Sequence, residues 1–213
     1  MISTKRYIAV EGPIGVGKTT LARKIATSIG AGLILEQPAD NPFLERFYKN
    51  PEQYALQTQL YFLFQRARQL KELRQGDLFT PIQIADYMLA KDPLFARLTL
   101  DDDELYLYEQ VYKQLNQEIP TPDLVIYLQA PVDLLITRIQ KRGILFERNI
   151  ERHYLRDLSE AYSRLFLGYR ESPLLVVNAE NVDFIENEEH YELLLRQVNT
   201  ISSGKHYFNP VFD

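Results

Sequence analysis

Short apolar runs alternate with longer stretches of helical periodicity along most of this chain. Five of the runs are read as strands, and the run at residues 123–130 has the continuous apolar character of a strand buried in a parallel sheet. These strands are predicted at residues 6–10, 32–35, 81–85, 123–130 and 174–178.

In the segments between these runs, apolar residues recur three or four positions apart, which predicts amphipathic helices. The main helices are predicted over residues 18–30, 52–75, 101–118, 132–141, 151–169 and 188–201. The tail, residues 202–213, shows no clear structure in this pattern. Strands that alternate with helices predict an α/β fold, a five-stranded parallel sheet flanked by helices on both faces, within a single domain of residues 1–213.

Composition narrows the class of protein. The chain has 213 residues, a net charge of −5 and no strongly basic tract, which argues against general nucleic-acid binding. It has no cysteine, and its three histidines are scattered without metal-ligand spacing. No apolar run approaches membrane-spanning length and no signal-peptide pattern opens the sequence. We therefore expect a cytoplasmic protein without a membrane partner.

A phosphate-binding loop joins the first predicted strand to the first predicted helix. The pattern G-x-x-x-x-G-K-[ST] is present in the expected strand–loop–helix context. In such loops, backbone N–H groups and the helix N-terminus surround phosphate oxygens, the lysine contacts the outer phosphates and the threonine hydroxyl ligates Mg²⁺. The predicted nucleotide-binding residues are Gly12, Pro13, Ile14, Gly15, Val16, Gly17, Lys18, Thr19 and Thr20.

Two carboxylates follow predicted strands, at the sheet edge where open α/β proteins bind ligands. Glu36 comes after the second strand and is either a site residue or an ordinary turn carboxylate. Asp86 comes after the third strand and either holds Mg²⁺ or caps the following helix. The acidic cluster at residues 101–104 is most simply the start of a helix.

Other candidate residues lie on predicted helices. Gln59 and Arg66 are two turns apart on one face, which fits a polar site in an apolar pocket, although the spacing alone favours a solvated helix edge. Arg138 and Arg142 are four residues apart before a charged segment at about residues 142–152. That segment is either a lid that closes over ATP or a set of solvated arginines.

The sequence resembles bacterial deoxynucleoside kinases, most closely their deoxyguanosine and deoxyadenosine kinase branch. No Asn-Lys-x-Asp motif or Asp-x-x-Gly motif follows the phosphate loop, which argues against a regulatory GTPase. The resemblance covers about residues 5–198. It rests on the phosphate loop, on Glu36 with the segments 40–44 and 47–48, on Gln59 and Arg66, and on the segments 84–87, 95–96, 123–130 and 138–143.

The resemblance implies a P-loop kinase fold with a lid and a role for each matching residue. The reaction would transfer the γ-phosphoryl group of ATP, with Mg²⁺, to the 5′-hydroxyl of a deoxynucleoside, with a purine favoured. Glu36 would be the general base, and Lys18, Arg138 and Arg142 would stabilise the transferring group. Asp183 and Phe184 would lie against the adenine of ATP. Gln59, Arg66 and Asp92 would recognise the nucleobase and Phe95 would stack on it, while Tyr48 and Glu147 would hold the sugar 3′-hydroxyl. The other substrate-binding residues would be Glu36, Leu44 and Asp86.

Two departures from the family pattern stand out. Many relatives have Asp-Arg-Ser where this chain has Asp86-Tyr87-Met88, and another arginine where it has Ile144. The alternative enzyme is a thymidylate-type nucleoside monophosphate kinase, which would require an arginine at Tyr87 for the acceptor phosphate. A nucleotide-binding module without turnover is the alternative outside the enzymes. The family also implies a homodimer, with residues 101–118 as a candidate surface.

Overall fold

A computed structural model describes residues 6–73, 82–184 and 186–210. Within them lies one sheet of six strands in the order β2-β3-β1-β4-β5-β6, and every neighbouring pair is parallel. The strands are β1 (Tyr7–Glu11), β2 (Gly32–Ile34), β3 (Gln83–Ala85), β4 (Leu124–Gln129), β5 (Leu174–Asn178) and β6 (Lys205–Phe208).

Eight α-helices connect or flank these strands in the described part of the chain. They are α1 (Lys18–Ile29), α2 (Leu44–Lys49), α3 (Pro51–Glu72), α4 (Asp92–Thr99), α5 (Asp102–Asn116), α6 (Val132–Arg142), α7 (Arg152–Gly168) and α8 (Glu188–Thr200). Short 3₁₀ turns lie at Pro38–Asp40, Leu89–Lys91 and Leu145–Asn149. None of the helices in the described ranges combines the length and the apolar character that a membrane crossing needs.

The alternation of side chains along the strands divides the core into two layers. Ile8 and Val10 of β1 face a layer built by α1 and α8, where Leu21, Ile25 and Leu194 are buried. Tyr7 and Ala9 of the same strand face the opposite layer, which is formed by α3, α4, α5 and α7. Because β1 is buried on both faces, it reads as a continuous apolar run up to Glu11.

The prediction of a parallel sheet with helices on both faces is confirmed, but the strand count of five is wrong. The tail expected to lack structure contains β6, which pairs in parallel with β5 through Leu174 with Lys205 and Val176 with Tyr207. β6 is a short edge strand of mixed polar and aromatic residues, so its own sequence gives no apolar run. Its pairing depends on the free edge of β5. Pro81, at the start of the predicted third strand, lies outside the described residues.

Candidate active site

The phosphate loop occupies residues 12–17 between β1 and α1 at the carboxyl edge of the sheet. Gly12 has φ 145°, and a Cβ added there would lie 2.4 Å from the carbonyl oxygen of Leu128. A Cβ on Gly15 would lie 2.8 Å from the carbonyl oxygen of Leu135. Only glycine fits these two positions, because β4 and α6 approach the loop backbone so closely. The tight loop leads directly into the N-terminus of α1, an arrangement that suits phosphate.

Lys18 is the first residue of α1 and bends back over this loop. Its Nζ donates hydrogen bonds to the carbonyl oxygens of Gly12, at 2.8 Å, and Pro13, at 3.1 Å. Burial and the neighbouring Lys91 lower the pKa of Lys18 to about 8, against the opposing effect of the carboxylates of Glu11, Glu36 and Asp86. The ammonium group therefore lies against the carbonyl oxygens of the phosphate loop, in a crowded and partly buried environment.

Asp86 joins the phosphate loop to the end of β2. Its Oδ2 accepts a hydrogen bond from the Thr19 hydroxyl at 2.5 Å, and its Oδ1 accepts one from the backbone N–H of Glu36 at 2.8 Å. A hydroxyl and a carboxylate beside a phosphate loop are the hard oxygen donors that Mg²⁺ prefers. The predicted metal ligands, Thr19 and Asp86, are thus in contact with each other.

Glu36 lies in a cluster of buried charges. Its Oε1 accepts a hydrogen bond from Nε of Arg66 at 2.7 Å, pairs with Nη2 of the same residue, and lies 3.2 Å from Nζ of Lys91. Nη1 of Arg66 pairs with Oδ1 of Asp92 at 2.6 Å. Burial by itself would raise the pKa of Glu36, but Arg66, Lys91 and Lys18 outweigh it and hold the pKa well below its ordinary value. Glu36 is therefore a carboxylate at neutral pH.

The predicted base-recognition residues meet between α3 and α4. Gln59 and Arg66 are each 4% exposed, so the interpretation of this face as a solvated helix edge is wrong. Gln59 Nε2 donates to the hydroxyl of Thr99 at 3.3 Å, and the guanidinium of Arg66 lies 4.6 Å from the centre of the Phe62 ring. The spacing along α3 could not predict the burial of these two residues, because they are covered by the segment that carries Asp92, which is distant in the sequence.

Asp92 differs from its neighbours in having one unsatisfied oxygen. Oδ1 pairs with Arg66, whereas Oδ2 is buried and has no hydrogen-bond partner among the described residues. Burial raises the pKa of Asp92 to about 6, although Arg66 and Lys91 act in the opposite direction. Phe95, one turn later on α4, packs edge-on against Tyr162 with ring centres 6.1 Å apart. The pair forms an apolar wall beside a buried acceptor, which suits a nucleobase.

The predicted sugar-binding residues lie on the other side of Glu36, on α2 and in the 3₁₀ turn Leu145–Asn149. Arg142 pairs with Glu147 through Nη2 and Oε2 at 2.5 Å. Burial raises the pKa of Tyr48 well above its ordinary value, with Tyr154, Glu147 and Glu36 adding to the effect. Tyr48 and Glu147 are therefore neighbours, while Leu44 is buried in the small cluster beneath α2 and α3.

Arg138 and the predicted adenine-binding residues lie at the outer side of the phosphate loop. Arg138 donates from Nη1 to the carbonyl oxygen of Val16 and from Nη2 to that of Ala179, both at 3.1 Å. Asp183 is exposed and accepts a hydrogen bond from the N–H of Glu186. Phe184 is 7% exposed and belongs to the core layer beside α8. Of this pair, Asp183 presents the more accessible surface.

Glu11 and Lys91 were not identified as site residues by sequence reasoning. Glu11 is fully buried and accepts hydrogen bonds from the N–H of Gly12 at 3.1 Å, the N–H of Met88 at 2.7 Å and the Tyr162 hydroxyl at 3.1 Å. Burial raises its pKa, while Lys91 and Lys18 oppose the rise. The sequence could have indicated Glu11 as a site residue, because it is a glutamate at the end of an otherwise apolar strand. Lys91, in the 3₁₀ turn after β3, offered no periodic signal.

Tyr87, which departs from the family pattern, directs its hydroxyl to α3 and lies with its ring 5.6 Å from Nζ of Lys91. Its hydroxyl donates to Oε1 of Gln69 on α3 at 2.6 Å, and its carbonyl oxygen accepts from the Tyr7 hydroxyl. The side chain is fully buried in the core layer of α3. Tyr87 therefore has a packing role at a position that supplies a cation in many relatives.

The parallel sheet, the phosphate loop and the carboxylates at its edge define a P-loop phosphotransferase. Comparison with protein families gives a match to the deoxynucleoside kinase model over residues 8–203. The chain belongs to the deoxynucleoside kinase family, whose members phosphorylate deoxynucleosides with ATP.

Individual relatives agree with this assignment. The chain is 35% identical to the deoxyguanosine kinase of Bacillus subtilis, across 94% of this chain and 99% of the relative. It is 28% identical to the deoxyadenosine/deoxycytidine kinase of the same organism, across 94% of each chain. The structure of deoxyadenosine kinase from M. mycoides with bound dATP matches with a TM-score of 0.79 and 28% identity, covering 91% of this chain and all of that one. The relatives named deoxyguanosine and deoxyadenosine kinase, which match nearly the whole chain, support a deoxynucleoside kinase rather than a thymidylate-type monophosphate kinase or a module without turnover.

Proposed function

We propose that this kinase phosphorylates a purine deoxynucleoside, with Glu36 as the general base and Mg²⁺ held beside Thr19 and Asp86. The observation that carries the proposal is the position of Glu36. The backbone N–H of Glu36 donates to Asp86, and its carboxylate pairs with Arg66, which in turn pairs with the buried Asp92. A deoxynucleoside whose nucleobase is bound against Asp92 would thus place its sugar near Glu36 and the phosphate loop.

The base-recognition side supports a nucleobase that carries an amino group. The unsatisfied Oδ2 of Asp92 requires a hydrogen-bond donor, and the amide of Gln59 offers a donor and an acceptor. Both adenine and guanine supply exocyclic or ring N–H groups and acceptor nitrogens. The relatives named deoxyguanosine kinase and deoxyadenosine kinase support the choice of a purine over a pyrimidine.

The phosphate side suits ATP and Mg²⁺. ATP supplies the transferred phosphoryl group, and the metal neutralises charge on the phosphate oxygens. The chain's own contributions are the loop N–H groups, the Lys18 ammonium and the Thr19–Asp86 oxygen pair. Arg142 lies beside Glu147, in the predicted lid at residues 142–152, and Arg138 is held against the loop carbonyls. We expect both arginines to balance negative charge that develops on the transferring group.

The decisive experiment combines one substitution with a substrate panel. Glu36→Gln keeps the size and polarity of the side chain but removes the base, so kcat should fall by roughly 10²–10⁴-fold while the Kd of the deoxynucleoside changes little. The measurement is ADP release with the four deoxynucleosides and their monophosphates. Purine deoxynucleosides should give the highest kcat/KM, and monophosphates should not be phosphorylated. A wild-type kcat in Glu36→Gln would remove Glu36 from this role.

We also propose a homodimer formed through α3 and α5. These two helices expose a set of large apolar side chains on the outside of their layer: Phe64 is 53%, Tyr106 70% and Leu107 51% exposed. Apolar groups of this size grouped on one surface are typical of an interface between proteins. The surface includes the segment that the family resemblance indicated.

A further inference from the structure

Lys91 has a buried ammonium group whose position is not explained by packing. It ends the 3₁₀ turn Leu89–Lys91 after β3, and its side chain is 2% exposed. Its Nζ lies 3.2 Å from Oε1 of Glu36 and 5.6 and 5.9 Å from the ring centres of Tyr87 and Phe95. Burying an ammonium is costly unless an anion compensates it. Within the described ranges, Glu36 is the carboxylate that forms an ion pair with Lys91.

The two cations at Glu36 engage the same oxygen atom. Arg66 donates from Nε and Nη2 to Oε1, and Lys91 approaches Oε1 as well. Arg66 is shared, because its Nη1 pairs with Asp92 on the base-recognition side. Lys91 has no such second ion pair in the part of the chain that the structure describes. Together the two cations hold the carboxylate of Glu36 through Oε1, and none of these three contacts involves Oε2.

We propose that Lys91 is a positioning residue for phosphoryl transfer: with Arg66 it holds Oε1 of Glu36 and so presents Oε2 to the 5′-hydroxyl. This inference rests on the proposed role of Glu36 as the general base. In that step Oε2 takes the proton of the 5′-hydroxyl while the hydroxyl oxygen bonds to the γ-phosphorus. The electron pair of the broken phosphate bond leaves with ADP. The ammonium keeps the carboxylate in one orientation until the proton arrives.

Lys91 also favours the ionised form of Glu36, together with Arg66 and Lys18. The charged and titratable groups around Glu36 and Lys91 are Lys18, Arg66, Glu11, Asp86, Asp92, Tyr48, Tyr87 and Tyr162.

The test compares Lys91→Met, which removes the charge at similar length, with Lys91→Arg, which keeps it. Lys24→Met is the control, because Lys24 pairs with Glu188 at 2.8 Å between α1 and α8. In Lys91→Met we expect kcat to fall about tenfold or more and the KM of the deoxynucleoside to change less than about threefold. Lys91→Arg should restore kcat towards the wild type.

Three outcomes would overturn the proposal: a wild-type kcat in Lys91→Met, an equal loss in Lys24→Met, or a KM that rises as much as kcat falls. If Lys91→Met does not fold by circular dichroism, Lys91→Gln is measured in its place. Glu36→Gln separates the proposed role of Lys91 from the proposed role of Glu36. Loss of turnover in Glu36→Gln with normal turnover in Lys91→Met would reject the role of Lys91 and leave the base intact. Normal turnover in Glu36→Gln would reject the base itself.

Discussion

At the scale of single residues, the site is a set of charges that stabilise one another in a desolvated space. Arg66 compensates two carboxylates, and Glu36 in turn compensates two cations. Removing one partner from such a cluster leaves another charge buried and unpaired, which costs more than the pair itself contributes. The pKa values of Glu36, Asp92 and Lys18 therefore depend on their neighbours more than on their own chemistry.

Lys18 gives a prediction about pH at this scale. Its pKa of about 8 means that the ammonium is present below that pH and is lost as the pH rises through it. The affinity for ATP should therefore fall above that value, by about tenfold at one pH unit beyond the pKa if only the charged form binds. Calorimetric titration of ATP over this range measures the effect. Lys18→Arg, whose guanidinium stays charged, should bind ATP with a flat profile; an equally steep profile in that variant would assign the effect to another group.

At the scale of secondary-structure elements, the N-terminus of α5 shows how local sequence fixes a boundary. Oδ1 of Asp101 accepts a hydrogen bond from the N–H of Glu104 at 2.8 Å, and Glu104 accepts one from the N–H of Asp101 at 3.4 Å. This reciprocal pair is a capping box, which satisfies two N–H groups that the helix cannot. The prediction that the acidic cluster opens a helix is confirmed.

The capping box predicts that two adjacent aspartates, Asp101 and Asp102, contribute differently to the free energy of unfolding. Asp101→Ala should lower the free energy of unfolding by about 1 kcal/mol, because it removes the cap. Asp102→Ala is the matched control: Asp102 is the first helical residue and forms no part of the capping box. Urea denaturation of the two variants, followed by circular dichroism, makes the comparison. Equal midpoints for both would show that the capping box contributes nothing beyond general charge at the helix start.

At the scale of the whole molecule, the order of the strands brings the functional residues together. β1 lies between β3 and β4, so the phosphate loop, Asp86 and the end of β4 share one edge of the sheet. The charged site lies at that edge on the side of α3 and α4. The exposed apolar side chains of α3 and α5 lie on the same helical layer but point outwards.

The exposed apolar side chains of α3 and α5 predict that the protein forms a homodimer. The wild-type protein should sediment at twice the mass of the chain, and Tyr106→Asp should shift it towards the monomer by placing a charge in the interface. Leu167→Asp is the control, since Leu167 is 74% exposed on α7, away from this surface. Analytical ultracentrifugation of the three proteins decides the matter. A monomeric wild type, or equal dissociation by both substitutions, would contradict the proposed surface.

The sequence alone determined the features that depend on short-range spacing. The phosphate loop, the strand Leu174–Asn178 and most helix limits were predicted within a few residues. Continuous apolar runs, helical periodicity and capping residues act within one element, so they can be recognised without the rest of the chain. The resemblance to deoxynucleoside kinases implied site roles for Glu36, Gln59, Arg66 and Asp92. From spacing alone, the role of Glu36 was open and a surface position was favoured for Gln59 and Arg66.

Only the tertiary structure decided which distant residues meet. β6 exists because the edge of β5 offers hydrogen-bonding groups, and no periodic signal in the tail announces that pairing. Lys91 belongs to the site because the turn after β3 carries its ammonium to Glu36 at the end of β2, through the pairing of those two strands. Burial and charge compensation are properties of this three-dimensional arrangement. They convert a lysine without a local signal into a partner of the candidate base.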